Sequence, residues 1–170
     1  MFALLTLVYT VVAHATEPDV KDTLQAAISY NLARFVTRTD QQATTAAPLI
    51  FCIHQENPIA EALELMQTAK SGSQTVQLRK ISSYDRFYAG CDISFVAAED
   101  LAALSMAQLA KSGNITIGET QGFLDIGGAV QLIQTGQKFS FLVNLTAFAT
   151  ARKTLSSRVL MLAREVRLAP

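Results

Sequence analysis

Apolar residues recur along the chain in two rhythms, one helical and one strand-like. Leu24, Ile28, Leu32, Phe35 and Val36 fall at three- and four-residue spacings, which predicts a helix over residues 19–38 with one buried stripe. Phe35 is expected to anchor that helix on a sheet. The polar stretch 40–47 ends at Pro48, and the continuous apolar run 49–53 predicts a strand covered on both faces. Asn57 and Pro58 supply an N-cap and a first-turn proline for a second helix, with Ile59, Ala62, Leu63 and Met66 facing inward and Gly72 closing it. Residues 75–81 alternate, 84–88 read as a helical turn before Gly90, and 91–96 read as another buried strand. Leu101, Leu104 and Leu109 mark a helix over 99–111, and 115–117 a further short strand. Strand and helix alternate up to this point, which argues for an open sheet with right-handed crossovers.

The pattern then changes. Gly118, Gly122, Gly127 and Gly128 break the next stretch. Two strand-like runs follow, at 129–133 and 139–143, separated by a gap that contains Gly136, so a β-hairpin with a longer loop is expected. Asn144 stands where a helix N-cap would, ahead of Leu145, Phe148 and Ala149. Ser156 and Ser157 precede Val159, Leu160, Leu162, Ala163 and Val166, whose spacing predicts a final helix. The fold expected is therefore α/β: an open, mostly parallel sheet flanked by helices, with an antiparallel hairpin near the C-terminal part.

Composition narrows the class. Of 170 residues, 50% are hydrophobic and 16% charged, enough for one globular domain with a sizeable core. Fourteen basic residues balance fourteen acidic ones, so nothing global points to nucleic acid. Locally the end of the chain is basic: Arg152, Lys153, Arg158, Arg164 and Arg167 stand against Glu165. Basic groups late in a helix suit its dipole before they suit a partner. At the front, residues 1–13 form an apolar run too short to cross a bilayer, followed by Ala13-His14-Ala15 and a polar stretch. This is the pattern of a secretory signal peptide, residues 1–15, ahead of a single domain over 16–170, although a basic leader is missing. Export to the periplasm follows as the expectation.

Candidate chemistry is sparse. The two cysteines, Cys52 and Cys91, each lie in or beside a buried strand and form no CxxC motif. In an oxidising compartment an even count favours a structural disulfide; in a reducing one the same residues would be small buried hydrophobes. His54 falls at the carboxyl edge of the first sheet strand, where open sheets bind ligands. It has no GxSxG, SxxK or HExxH companion, and Cys52 and His54 lack a spaced set of further zinc ligands. Gly118 and Gly122 lack the lysine and glycine order of a phosphate loop, so tight turns and close backbone approach explain them better. No catalytic residue, cofactor site or metal site is assigned. Asn114 and Asn144 each begin a glycosylation-type sequon, but both have local roles at helix ends. Phe123, Leu124 and Ile126 lie between glycines; exposed together they would form an interface patch rimmed by Arg152, Arg158 and Arg164, and otherwise they cap the core.

The order GF…GG.V.L….KF.F.VN….A…….SSRVL.LA over the C-terminal part resembles the YfiR-like family. NLARFV at 31–36, LIFCI at 49–53 and GCDISFV at 90–96 agree with it, so the similarity covers nearly all of the chain after the leader. The resemblance implies a small periplasmic, non-enzymatic protein that holds an inner-membrane diguanylate cyclase of the YfiN type inactive, lowering cyclic-di-GMP and biofilm formation, and that can form a homodimer. It also implies that Cys52 and Cys91 pair. Some members carry a second cysteine pair in the C-terminal half, which this chain lacks, so redox control through that pair does not carry over. The alternative is a periplasmic small-molecule-binding protein, with its ligand at the sheet's carboxyl edge among His54, Gln55, Gly118 and Glu119.

Overall fold

The computed structural model describes residues 19–39, 47–68, 76–82, 90–102, 104, 109 and 113–168. The expected signal peptide, Gly72, the helical turn at 84–88 and much of the helix expected over 99–111 lie outside the described residues. The order of elements is α1 (Val20–Arg34), β1 (Val36–Arg38), β2 (Leu49–His54), α2 (Ile59–Thr68), β3 (Val76–Ile81), β4 (Ile93–Val96), β5 (Ile115–Gly118), β6 (Val130–Thr135), β7 (Lys138–Asn144), α3 (Leu145–Thr150), β8 (Lys153–Leu155), α4 (Ser157–Leu160) and β9 (Glu165–Arg167). A 3₁₀ turn at Asp100–Ala102 opens the 99–111 stretch, with Leu104 and Leu109 buried beyond it.

Seven strands form one sheet in the order β3-β2-β4-β5-β6-β7-β9. Pairing is parallel from β3 through β6, antiparallel between β6 and β7, and parallel again between β7 and β9. This is the expected α/β sheet with its antiparallel hairpin. Alternation splits the core in two. Phe51, Ile53, Ile93, Phe95, Ile115 and Ile117 face α1 and α2, while Cys52 and Val96 face the other way, toward Leu104, Leu109 and Phe123.

Four local expectations are corrected. The first helix stops at Arg34, not residue 38, because Val36–Arg38 instead pairs antiparallel with Lys153–Leu155 in a separate two-stranded sheet. Phe35 caps the helix and stays exposed, while Gln25, Ala26, Ser29, Leu32 and Ala33 form the buried stripe. The hairpin loop is short: Thr135 pairs Lys138, leaving only Gly136 and Gln137 in the turn. Gly136 has φ of 61° and takes the first central position, the type II′ arrangement that matches strand twist. The final helix is a single turn, Ser157–Leu160, after which Glu165–Arg167 joins β7, with the Arg164 N–H donating to the Phe141 carbonyl at 2.9 Å. Backbone pairing with the outer strand of the hairpin outweighs the helical spacing of five apolar residues. The dipole reading of the basic end therefore fails for Arg164 and Arg167, which are not helical.

Candidate functional site

The C-terminal segment carries an apolar surface that faces solvent. Met161, Leu162 and Leu168 are 74–78% exposed, with Phe35 and Val166 about half as much. Phe35 and Leu162 line a shallow groove of about 200 Å³ with Ile28, Leu32, Phe141 and Val159. The register sets Val166 beside β7 on the face that carries Phe141. Val166 sits opposite Val143 on β7, and Phe141 lies two residues earlier on the same face. Isolated exposed apolar residues are ordinary, but a contiguous group with a concave centre marks an interface. Arg158 and Arg164 are exposed on the same segment and supply a basic rim.

The other expected patch residues lie elsewhere. Phe123 is fully buried on the opposite face of the sheet, Leu124 is buried and Ile126 is partly covered. They cap the core and do not form an exposed patch. The reason is steric: the Phe123 ring packs against Gly118 and Gly128. A Cβ at Gly118 would come within 2.8 Å of that ring, and one at Gly128 within 2.6 Å of the Phe123 carbonyl. The glycine cluster is thus a seat for one aromatic ring. Arg152 stands apart from Arg158 and Arg164, at the turn between α3 and β8.

Cys52 and Cys91 form a disulfide, with Cα atoms 5.8 Å apart. Beside it is a charged cluster that sequence reasoning missed. Asp92 accepts from Arg38 Nε at 2.8 Å and from Arg38 Nη2, from the Ile50 N–H at 2.9 Å, and lies 3.6 Å from Lys153 Nζ. Lys153 also donates to the Gly113 carbonyl at 2.8 Å. Burial pushes the Asp92 carboxyl up, but the Arg38 hydrogen bonds, the Ile50 N–H and the two cationic charges outweigh it and hold the carboxyl below its usual range. The signal was available: a carboxylate inside an apolar strand run needs a cationic partner. The cluster fastens β1 and β8 to the main sheet. Its groups are mutually satisfied, which makes it structural.

The carboxyl edge holds two separate depressions. His54 lines a small one of about 180 Å³ with Glu56, Asn57, Glu99 and Asp100. Glu119 lines a larger, open one of about 590 Å³ with Gln121, Asp125, Gln131, Gln134 and Arg167. The structure therefore does not bring His54 and Glu119 into one pocket. In the larger groove Arg167 pairs with Asp125 at 2.8 Å and with Glu165, and Glu119 pairs with Lys21 at 3.3 Å and accepts from Gln25. Crowding at that end shows in Asp22, whose carboxyl is pushed up by burial and then by Asp19 and Glu119. Among the described residues no group of His, Cys, Asp and Glu is arranged to hold a metal, and no helix is long and apolar enough to cross a membrane.

The structure defines an α/β domain with a two-faced sheet, tied by one disulfide and exposing apolar residues near its C-terminal end. The chain belongs to the DUF4154 family, described as YfiR/HmsC-like, whose profile matches residues 22–164. No curated protein is significantly similar to it. Among solved structures, the fold is similar to the ABC domain in complex with L-Trp from Streptococcus pneumoniae, with TM-score 0.54 and 11% identity over 84% of this chain. It is similar also to a conserved domain protein from Vibrio cholerae, with TM-score 0.54 and 10% identity over 86% of this chain. In each case the match spans 60% of the other chain, and at such identity it speaks to the fold alone.

Proposed function

We propose that this chain is an exported, non-enzymatic regulator that binds the periplasmic domain of an inner-membrane diguanylate cyclase of the YfiN type and keeps it inactive. Family membership supports a periplasmic regulatory role in general, and the bridge between Cys52 and Cys91 suits an oxidising compartment. The observation that carries the reading is the exposed apolar surface at Phe35, Met161, Leu162, Val166 and Leu168. Such a surface is costly to leave in water and gains from a partner. Repression requires only that the chain bind the cyclase's inactive conformation more tightly than its active one. Deleting the chain from cells that make the cyclase should raise cyclic-di-GMP, and Leu162→Glu should fail to restore the low level. An unchanged cyclic-di-GMP level on deletion would sink the proposal.

A second reading, a small-molecule binder, draws on the groove of about 590 Å³ at Glu119 and Arg167. Its charges already pair with one another, so a ligand must displace those pairs. Thermal-shift screening of small polar metabolites tests it, and only a ligand whose effect disappears in Arg167→Ala supports it.

A further inference from the structure

Arg152 is the only non-glycine with positive φ among the described residues, at 52°. The position is the left-handed turn that follows α3, where glycine is the common occupant because it carries no Cβ penalty. Its backbone is thoroughly held. The N–H donates to the Ala149 carbonyl at 3.0 Å, and its own carbonyl accepts from both the Thr39 N–H and the Thr39 hydroxyl at 3.0 Å. None of these bonds uses the side chain. A positive φ kept at a non-glycine residue whose side chain makes none of these bonds points to a use for that side chain.

The surroundings say what the use is. Arg152 lines a groove of about 500 Å³ with Leu145, Phe148, Leu155 and Leu160. The neighbouring Lys153 is committed to Asp92 and the Gly113 carbonyl. The Arg152 guanidinium, by contrast, is exposed and has no carboxylate partner among the described residues. For a protein partner, an unpaired guanidinium beside an apolar hollow complements a bulky apolar side chain flanked by a carboxylate. We infer that this groove receives an acidic stretch of the protein partner, with an apolar side chain set against Leu145 and Leu160, which are half-buried, and a carboxylate on Arg152. The inference rests on the regulator reading and names a contact within it, in a groove separate from that at Phe35 and Leu162.

The test uses the mature chain and its Arg152→Gly and Arg152→Glu variants. Arg152→Gly relieves the backbone, so its melting temperature should match or exceed the wild type. Two labelled hexapeptides serve as probes, one with phenylalanine between aspartates and one with phenylalanine between lysines. The aspartate peptide should bind the wild type at least tenfold more tightly than the lysine peptide, and added salt should weaken it. That preference should vanish in Arg152→Gly and reverse in Arg152→Glu. Equal binding of the two peptides, or full binding by Arg152→Gly, overturns the inference. A change from dimer to monomer in Arg152→Glu without peptide binding would mean that a second copy fills the groove, and also overturns it. The purified periplasmic cyclase domain separates the two levels. If it binds wild type and Arg152→Gly alike, the regulator reading stands and this contact is wrong. If it binds neither while the aspartate peptide still depends on Arg152, the contact stands and the cyclase is wrong.

Discussion

Asp92 places a carboxylate immediately before the buried strand β4, and segments distant in sequence are built around the consequence. Arg38 from β1 and Lys153 from β8 both reach it. Removing Asp92 leaves two cations largely out of water, so Asp92→Ala should cost about 3 kcal/mol in urea unfolding, the scale for breaking a buried pair. The pH dependence has a definite sign. The folded carboxyl lies below its ordinary value, so its contribution is complete above the unfolded value of about 3.9 and is lost as pH falls through the folded one. The stability gap between wild type and Asp92→Asn should therefore be flat above about pH 4 and close as pH falls further; a gap that widened toward low pH would contradict the assignment. Gly128 makes a second residue-scale case. A methyl group there meets the Phe123 ring and carbonyl, so Gly128→Ala should destabilise by about 1–3 kcal/mol, the range for overpacking. The sequence showed that these glycines permit close approach, but it could not show which side chain approaches. Phe123 was equally compatible with a surface patch, because glycine spacing says nothing of which way an aromatic between glycines turns.

Among the elements, those whose signals are local were legible. Asn144 caps α3 by accepting from the Thr146 and Ala147 N–H groups, and Asn57 accepts from the Ile59 N–H at 3.0 Å. The apolar runs at β2, β4 and β5 are strands. What failed was short pairing between distant segments. Val36–Arg38 and Lys153–Leu155 are three residues each, too brief to show alternation, and exist because each supplies the other's hydrogen bonds. The same holds for β9, whose apolar spacing reads as helix until β7 offers an edge. Two measurements test this level. Gly136→Ala, at φ of 61° in the hairpin turn, should lose about 1 kcal/mol in unfolding free energy, the cost of a left-handed L-residue. Reducing the bridge between Cys52 and Cys91, which closes a separation of 39 residues, should cost about 4 kcal/mol by the loop-entropy estimate. Thermal unfolding with and without reductant reads it, and equal melting temperatures would show the bridge to be idle.

For the whole molecule, fold class and family were accessible from ordered weak motifs, whereas the exposed apolar surface was not. The sequence pointed to Phe123, Leu124 and Ile126; the exposed apolar group is instead Met161, Leu162, Val166 and Leu168 with Phe35. The spacing of Leu162 and Val166 predicts the buried stripe of a helix; the helix instead stops at Leu160 and the chain turns into β9, which leaves both residues exposed. The basic residues then divide. Arg158 and Arg164 are exposed on the same segment, Arg152 lines the groove at Leu145 and Leu160, and Arg167 closes an ion pair with Asp125. The central claim is that this apolar surface binds the cyclase. The most direct measurement is a calorimetric titration of the cyclase's purified periplasmic domain into the wild type and into Leu162→Glu, a substitution at an exposed position that should leave unfolding free energy within about 0.5 kcal/mol. Wild type should bind, and the variant should bind at least tenfold more weakly with its melting temperature unchanged. Binding of equal strength by both would contradict the assigned surface, and no binding by either would contradict the cyclase as partner.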